Sequence, residues 1–187
     1  MIEIYDDLLS VEEADYIESF LRDPKFPWFL SMGYNHYTTD IASIEQDTNT
    51  FSKESLLLGH TFYLDAAKNS ENYELSDFIM NRFLNQTNIE FKQLFRSKAN
   101  LQPNCKDSQA LYTTPHIDNF GSHKVLIYYV NDCDGDTFIF DNHKTGSVLK
   151  QVSPKKGRFL LFDGGLYHAA GIPTHSDFRL NVNFNYE

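Results

Sequence analysis

The residues in this sequence best suited to holding a metal are His116 and Asp118, one residue apart at the end of a strand-like run. Side chains alternate between the two faces of a strand, so residues i and i+2 project together. An imidazole and a carboxylate side by side offer two adjacent ligands. A second imidazole from a neighbouring strand would complete a two-histidine, one-carboxylate facial triad, which leaves coordination positions open and suits non-haem iron(II). The spacing by itself says little: 7 His and 16 Asp in 187 residues predict about 0.6 His-x-Asp pairs by chance, and there are two.

Position separates the two pairs. His175-Ser-Asp177 lies in a turn-like cluster after Pro173, has no histidine downstream, and reads as a polar loop. His116 and Asp118 are followed by apolar strands and by His168, 50 residues beyond Asp118, in the small-residue setting Gly164-Gly-Leu-Tyr-His-Ala-Ala-Gly171. His123 and His143 compete for the third position, but both fall in expected loops or turns. Eleven residues after His168, Arg179 opens a strict alternation. Arg179, Asn181, Asn183 and Asn185 take one face, and Leu180, Val182, Phe184 and Tyr186 the other. A planar guanidinium on such an inward face can grip a carboxylate through two parallel hydrogen bonds, which a lysine cannot copy.

Strand-like segments at 93–101, 110–117, 124–130, 137–140, 147–152, 158–162, 167–170 and 178–186 must carry these residues, with Asn, Asp, Gly and Pro clusters between them. That spacing predicts a sandwich or jelly roll, which holds ligands in its open mouth. Two helices precede it. Ser10 and Glu13 form a capping-box pattern ahead of an apolar face of Ala14, Ile17, Phe20 and Leu21. Leu75, Phe78, Ile79 and Phe83 repeat the spacing, with short strands expected at 28–32 and 61–64. The expectation is an α+β, mainly β fold in one domain over 1–187, with a helical lead-in over 1–91 and the core over 92–187. Residues 33–60, rich in Tyr, Thr, Asp and Asn, are expected to act as a lid over the site.

The formal net charge of −10 disfavours a nucleic-acid partner, whose phosphates reward Lys and Arg. Lys155, Lys156 and Arg158 read as a solvated turn. Two cysteines, Cys105 and Cys133, without Cys-x-x-Cys spacing fit a reduced, cytoplasmic setting. The start Met1-Ile-Glu-Ile-Tyr-Asp-Asp lacks the pattern of a signal peptide, and no run reaches the ~20 apolar residues of a membrane helix.

From about residue 110 onward the chain resembles the iron(II)/2-oxoglutarate oxygenase superfamily, in particular its prolyl-hydroxylase-like branch. The resemblance rests on His116-Ile-Asp118-Asn119, Leu126-Ile-Tyr-Tyr-Val-Asn131, Gly135-Asp-Thr-Phe-Ile-Phe140, Pro154-Lys-Lys-Gly-Arg-Phe-Leu-Leu-Phe162, His168 and Arg179-Leu-Asn-Val-Asn-Phe184, in that order. It implies a double-stranded β-helix, a form of jelly roll. It also implies iron(II) on His116, Asp118 and His168, with 2-oxoglutarate as cosubstrate and ascorbate as an admissible reductant. Arg179 falls where a basic residue meets the distal carboxylate of 2-oxoglutarate, Tyr129 where a tyrosine bonds the same group, and Asn183 where a polar residue sits near iron and cosubstrate. The implied reaction consumes dioxygen and hydroxylates a peptidyl residue such as proline, or else a small molecule; the alternative from another class is a jelly-roll protein that binds metal without catalysis. Three departures stand out. Asp134-Gly-Asp-Thr137 replaces a common Gly-Gly-x-Thr, Asn185 replaces a frequent aromatic, and a tyrosine usual three residues before the first ligand is here Tyr112, four before it. Strand parity places Tyr112 on the ligand face.

Overall fold

A computed structural model describes residues 1–30, 51–52, 56–65, 67–119, 121–141 and 147–187. His143 and most of the expected lid lie outside the described residues. The first strand, β1 (Ile2–Tyr5), leads into helix α1 (Val11–Leu21). The capping box forms as expected: Ser10 Oγ accepts from the Glu13 amide at 3.2 Å, and the Glu13 carboxylate accepts from the Ser10 amide at 2.9 Å. Then come β2 (Phe29–Leu30), β3 (Phe51–Ser52), β4 (Leu58–Leu64), β5 (Ala67–Lys68) and helix α2 (Tyr73–Gln86). The remaining strands are β6 (Leu94–Pro103), β7 (Tyr112–Thr113), β8 (Lys124–Tyr129), β9 (Thr137–Phe140), β10 (Val148–Val152), β11 (Phe159–Asp163), β12 (His168–Ala170) and β13 (Phe178–Tyr186).

The large sheet runs β1-β11-β8-β13-β6-β4-β2, with β5 beside β4, and a small sheet runs β10-β9-β12. All the pairings in both are antiparallel. One face of the large sheet carries Leu126, Tyr128, Phe159, Leu161, Leu180, Val182 and Phe184 against Ile17 and Leu21 of α1 and Ile79 and Phe83 of α2. Each such side chain, fully buried, contributes about 1.5–3 kcal/mol of transfer free energy. The opposite face meets the small sheet through Val125, Ile127, Leu160 and Phe162 against Ile139 and Val152. This is the two-sheet jelly roll with supporting helices that the strand spacing predicts.

Residues paired directly across an antiparallel ladder share a face. Arg179, Asn181, Asn183 and Asn185 pair with Gln102, Asn100, Lys98 and Arg96 of β6, and Asn181 pairs with Tyr129 of β8. The face turned toward the small sheet is therefore polar along β6 and β13 and apolar along β8 and β11. Lys155, Lys156 and Arg158 serve the fold: Arg158 grips Asp6 at 2.8 and 2.9 Å, Lys156 pairs with Glu18 at 2.7 Å, and Lys155 lies 3.7 Å from Asp6. Among the described residues no helix is long and apolar enough to cross a membrane.

Candidate metal centre

His116, Asp118 and His168 come together with their ligand atoms all within 4.8 Å of one another, the one such grouping among the described residues. The chain reaches His116 after β7 and forms a bridge there to His168 at the start of β12, with reciprocal backbone hydrogen bonds of 3.0 and 2.9 Å. This pairing brings the two rings to a centroid separation of 4.6 Å. Each imidazole has its Nδ1 against a backbone carbonyl two residues back, Thr114 at 3.0 Å and Leu166 at 3.3 Å. A carbonyl only accepts, so Nδ1 carries the proton and Nε2 presents a lone pair. The Nε2 atoms lie 3.7 Å (His116) and 3.8 Å (His168) from the Asp118 oxygens. Adjacent ligands at about 2.1 Å from one ion are roughly 3 Å apart, so a small inward movement fits the three atoms to a metal.

Asp118 is buried and tightly held. Its Oδ2 accepts from the amides of Asn183 and Asn185, each at 2.8 Å, and its Oδ1 pairs with the Arg96 guanidinium at 3.0 Å. Burial opposes ionisation, but Arg96, the two imidazoles and the Asn185 amide outweigh it and hold the carboxyl well below the usual carboxylate range. Burial and the neighbouring His116 push His168 down to about 4, which keeps it neutral and able to ligate.

Arg179 is buried, and among the described residues it forms no ion pair. Its Nε donates to the Gly135 carbonyl and its Nη2 to Thr137 Oγ1, both at 2.8 Å. Tyr129 donates to the same Thr137 oxygen at 2.6 Å. Both lone pairs of that hydroxyl are thereby used, leaving its own proton to donate elsewhere. Burial lowers the pKa of Arg179 and raises that of Tyr129 to about 12. Directly across the ladder, Gln102 is buried with neither amide atom partnered among the described residues. Two glycines permit this seat. A Cβ on Gly171 would lie 2.6 Å from the Asp136 backbone, and one on Gly135 would meet the Gly171 carbonyl at 2.8 Å and Arg179 Cδ at 3.0 Å.

The sequence reading did not anticipate Arg96, Thr137 or Gln102. Asn185, which stands where the resemblance has a frequent aromatic, bonds Asp118. Tyr112 does not sit on the ligand face. It packs on Phe138, Phe140 and Ala169, which alternate with Ile139 and His168 and so face away from the triad. β7 ends at Thr113, so strand parity does not carry through Thr114 and Pro115 to His116. His123 is not in the cluster: its Nδ1 bonds the Gly121 carbonyl at 2.8 Å and its ring packs on Gly164. His175 is exposed in a loop bound by Asp134, whose carboxylate accepts from the amides of Thr174, His175 and Ser176, each at 2.9 Å.

No family model matches the sequence, and no curated protein matches it. Solved structures share its fold. An oxidoreductase of the 2OG-Fe(II) oxygenase family from Burkholderia pseudomallei aligns over all of this chain and 84% of its own, with TM-score 0.68 and 13% identity. A prolyl hydroxylase from Trichoplax adhaerens, solved with a hypoxia-inducible-factor peptide fragment, aligns over 99% of this chain and 82% of its own, with TM-score 0.63 and 14% identity. The epimerase SnoN, solved with Fe3+, alpha-ketoglutarate and nogalamycin RO, aligns over 99% and 78%, with TM-score 0.63 and 14% identity.

Proposed function

We propose that this chain is an iron(II)- and 2-oxoglutarate-dependent oxygenase, with the metal on His116, Asp118 and His168 and the distal carboxylate of 2-oxoglutarate on Arg179. The observation that carries this reading is the buried Arg179 guanidinium, which has no ion pair among the described residues, on the same sheet face as the residues that hold Asp118. Leaving a buried cation uncompensated costs several kcal/mol, so the arrangement fits a bound anion. Arg179 is four residues from Asn183, roughly 13 Å along the strand. A short dicarboxylate and the arginine side chain together bridge that gap.

Iron(II) with 2-oxoglutarate and dioxygen would supply the oxidising chemistry, with succinate and carbon dioxide as coproducts. The chain's residues position and hold charge. The Thr114 and Leu166 carbonyls fix the imidazole tautomers. Asn183, Asn185 and Arg96 keep Asp118 ionised and oriented. Arg179 and the Thr137 proton donate to the carboxylate, Tyr129 orients the Thr137 hydroxyl, and Gln102 offers a further amide beside them. Two cysteines free of any disulfide suit the reducing, cytoplasmic setting that belongs to this proposal.

For the substrate, a peptidyl residue such as proline is supported by the likeness to the Trichoplax enzyme. A small molecule is supported by the likeness to SnoN and by a cavity of about 490 Å³ that Lys98 helps to line. Protein prepared anaerobically and given iron(II), 2-oxoglutarate and oxygen should release succinate. No succinate from iron-loaded protein, with candidate substrates present, would overturn the oxygenase reading.

A further inference from the structure

Lys98 stands across the β6–β13 ladder from Asn183, which bonds Asp118, and two residues from Arg96, which pairs with Asp118. It therefore shares the polar face of the triad. Its side chain then runs outward over β4. A Cβ on Gly59 would lie 2.4 Å from Lys98 Cε and 3.0 Å from Nζ, so the lysine crosses β4 where the chain has no side chain. The ammonium group reaches the wall of the 490 Å³ cavity lined by Phe29, Leu30, Gly59, His60 and Thr61.

Three other cations at or behind this sheet have carboxylates: Arg96 has Asp118, Arg158 has Asp6 and Lys156 has Glu18. Arg179 is accounted for by the cosubstrate. The Lys98 ammonium makes no hydrogen bond or ion pair among the described residues, and Glu71, which also lines the cavity, does not pair with it. Burial and the neighbouring Arg96 both lower its pKa, with Asp118 opposing, as for a cation short of counter-charge. His60 cannot supply or neutralise charge there. Its Nδ1 donates to the Pro27 carbonyl at 2.8 Å, its Nε2 accepts from Ser70 at 2.7 Å, and burial lowers its pKa. The rest of the wall is mixed: Phe29 and Leu30 are apolar and more than half exposed, and Asn69 is polar.

We propose that this cavity is the substrate subsite and that Lys98 recognises there the carboxylate of a small organic acid whose apolar body rests on Phe29 and Leu30. The assignment rests on the oxygenase reading for its place in the reaction, but its ligand chemistry can be tested separately. Apart from Arg179, which the proposed cosubstrate would compensate, the anion matches the cation of this face that has no carboxylate partner among the described residues, in a chain whose overall charge of −10 would otherwise repel it.

The test is binding of benzoate and phenylacetate, against benzamide and phenylacetamide, to protein held with iron(II) and saturating 2-oxoglutarate without oxygen. Ligand-observed NMR gives the affinities. The acids should bind saturably and at least tenfold tighter than the amides. Lys98→Gln should remove that preference, with 2-oxoglutarate affinity, measured separately, changed less than threefold. Gly59→Ala keeps the charge but displaces the lysine, so it should weaken acid binding in the same direction and serves if Lys98→Gln does not fold. Equal binding of acids and amides, absence of acid binding, or full acid binding in a folded Lys98→Gln protein would overturn the proposal. Lys98-dependent acid binding in protein that never releases succinate would keep the subsite and discard the oxygenase reading. Succinate release without acid binding would do the reverse.

Discussion

Replacing Asn185 with Leu tests how Asp118 is held. The substitution keeps the side chain's approximate volume and removes one of the two 2.8 Å amide hydrogen bonds to Asp118 Oδ2. A hydrogen bond to a charged group contributes about 1.5–3 kcal/mol. In the metal-free protein that loss appears as stability, since Asp118 stays buried with one hydrogen bond fewer to its carboxylate. For a chain of this size each kcal/mol moves Tm by about 2–4 °C, so a fall of roughly 3–12 °C is expected. Losing a bond that orients a metal-bound carboxylate typically weakens metal affinity 10–100-fold. Iron(II) or zinc(II) titration against a competing chelator, beside thermal melts of the metal-free protein, reads both quantities. Asn181→Leu is the control. Asn181 lies on the same strand and face, but its side-chain oxygen accepts from Asn100 at 3.3 Å rather than bonding Asp118. It should lose some stability and leave metal affinity unchanged. If Asn185→Leu leaves metal affinity within twofold of wild type, or Asn181→Leu weakens it as much, the reasoning fails.

The metal-free protein should also lose stability in mild acid. His168 titrates near 4 when folded and near 6.5 when unfolded, so below pH 6.5 the unfolded chain takes up the proton first, and stability falls by ~3 kcal/mol on going down to about pH 4. His60, lowered by burial, acts in the same direction. Asp118 is depressed instead, so its contribution persists through this window and is lost only at lower pH. Denaturant unfolding of chelated protein between pH 4.5 and 7.5 measures the slope, His168→Gln should flatten it, and a flat wild-type profile would contradict the assignment. Gln102→Glu places an internal carboxylate opposite Arg179. It should weaken 2-oxoglutarate binding at least tenfold by calorimetry while metal affinity holds, and unchanged cosubstrate binding would separate Gln102 from the carboxylate site.

The strand from 178 to 186 was legible to the residue, because nine residues of strict alternation leave one register that buries Leu180, Val182 and Phe184. His116 and Asp118 lie outside any strand, so ligand chemistry and the order of the surrounding motifs, rather than periodicity, made them and His168 legible. Arg96 and Lys98 carry a comparable signal. Arg96, Lys98, Asn100 and Gln102 alternate with Ser97, Ala99 and Leu101, so β6 presents a cationic and amide row to the face β13 serves. Tyr112 was misplaced because parity holds only within a continuous strand, and the chain between Thr113 and His116 is not one. The pairing of β1 with β11 is set by a partner more than 150 residues away, which no local window reveals.

The central claim is a metal site built beside a seat for a dicarboxylate, and 2-oxoglutarate affinity measured anaerobically with and without iron(II) tests it most directly. Wild-type protein should bind 2-oxoglutarate tightly only with the metal present. Arg179→Ala should lose about a hundredfold or more of that affinity while retaining iron, as removing one partner of a buried charge pair predicts. Asp118→Ala should lose the iron itself. Unchanged 2-oxoglutarate affinity in Arg179→Ala, or stoichiometric iron in Asp118→Ala, would contradict the account.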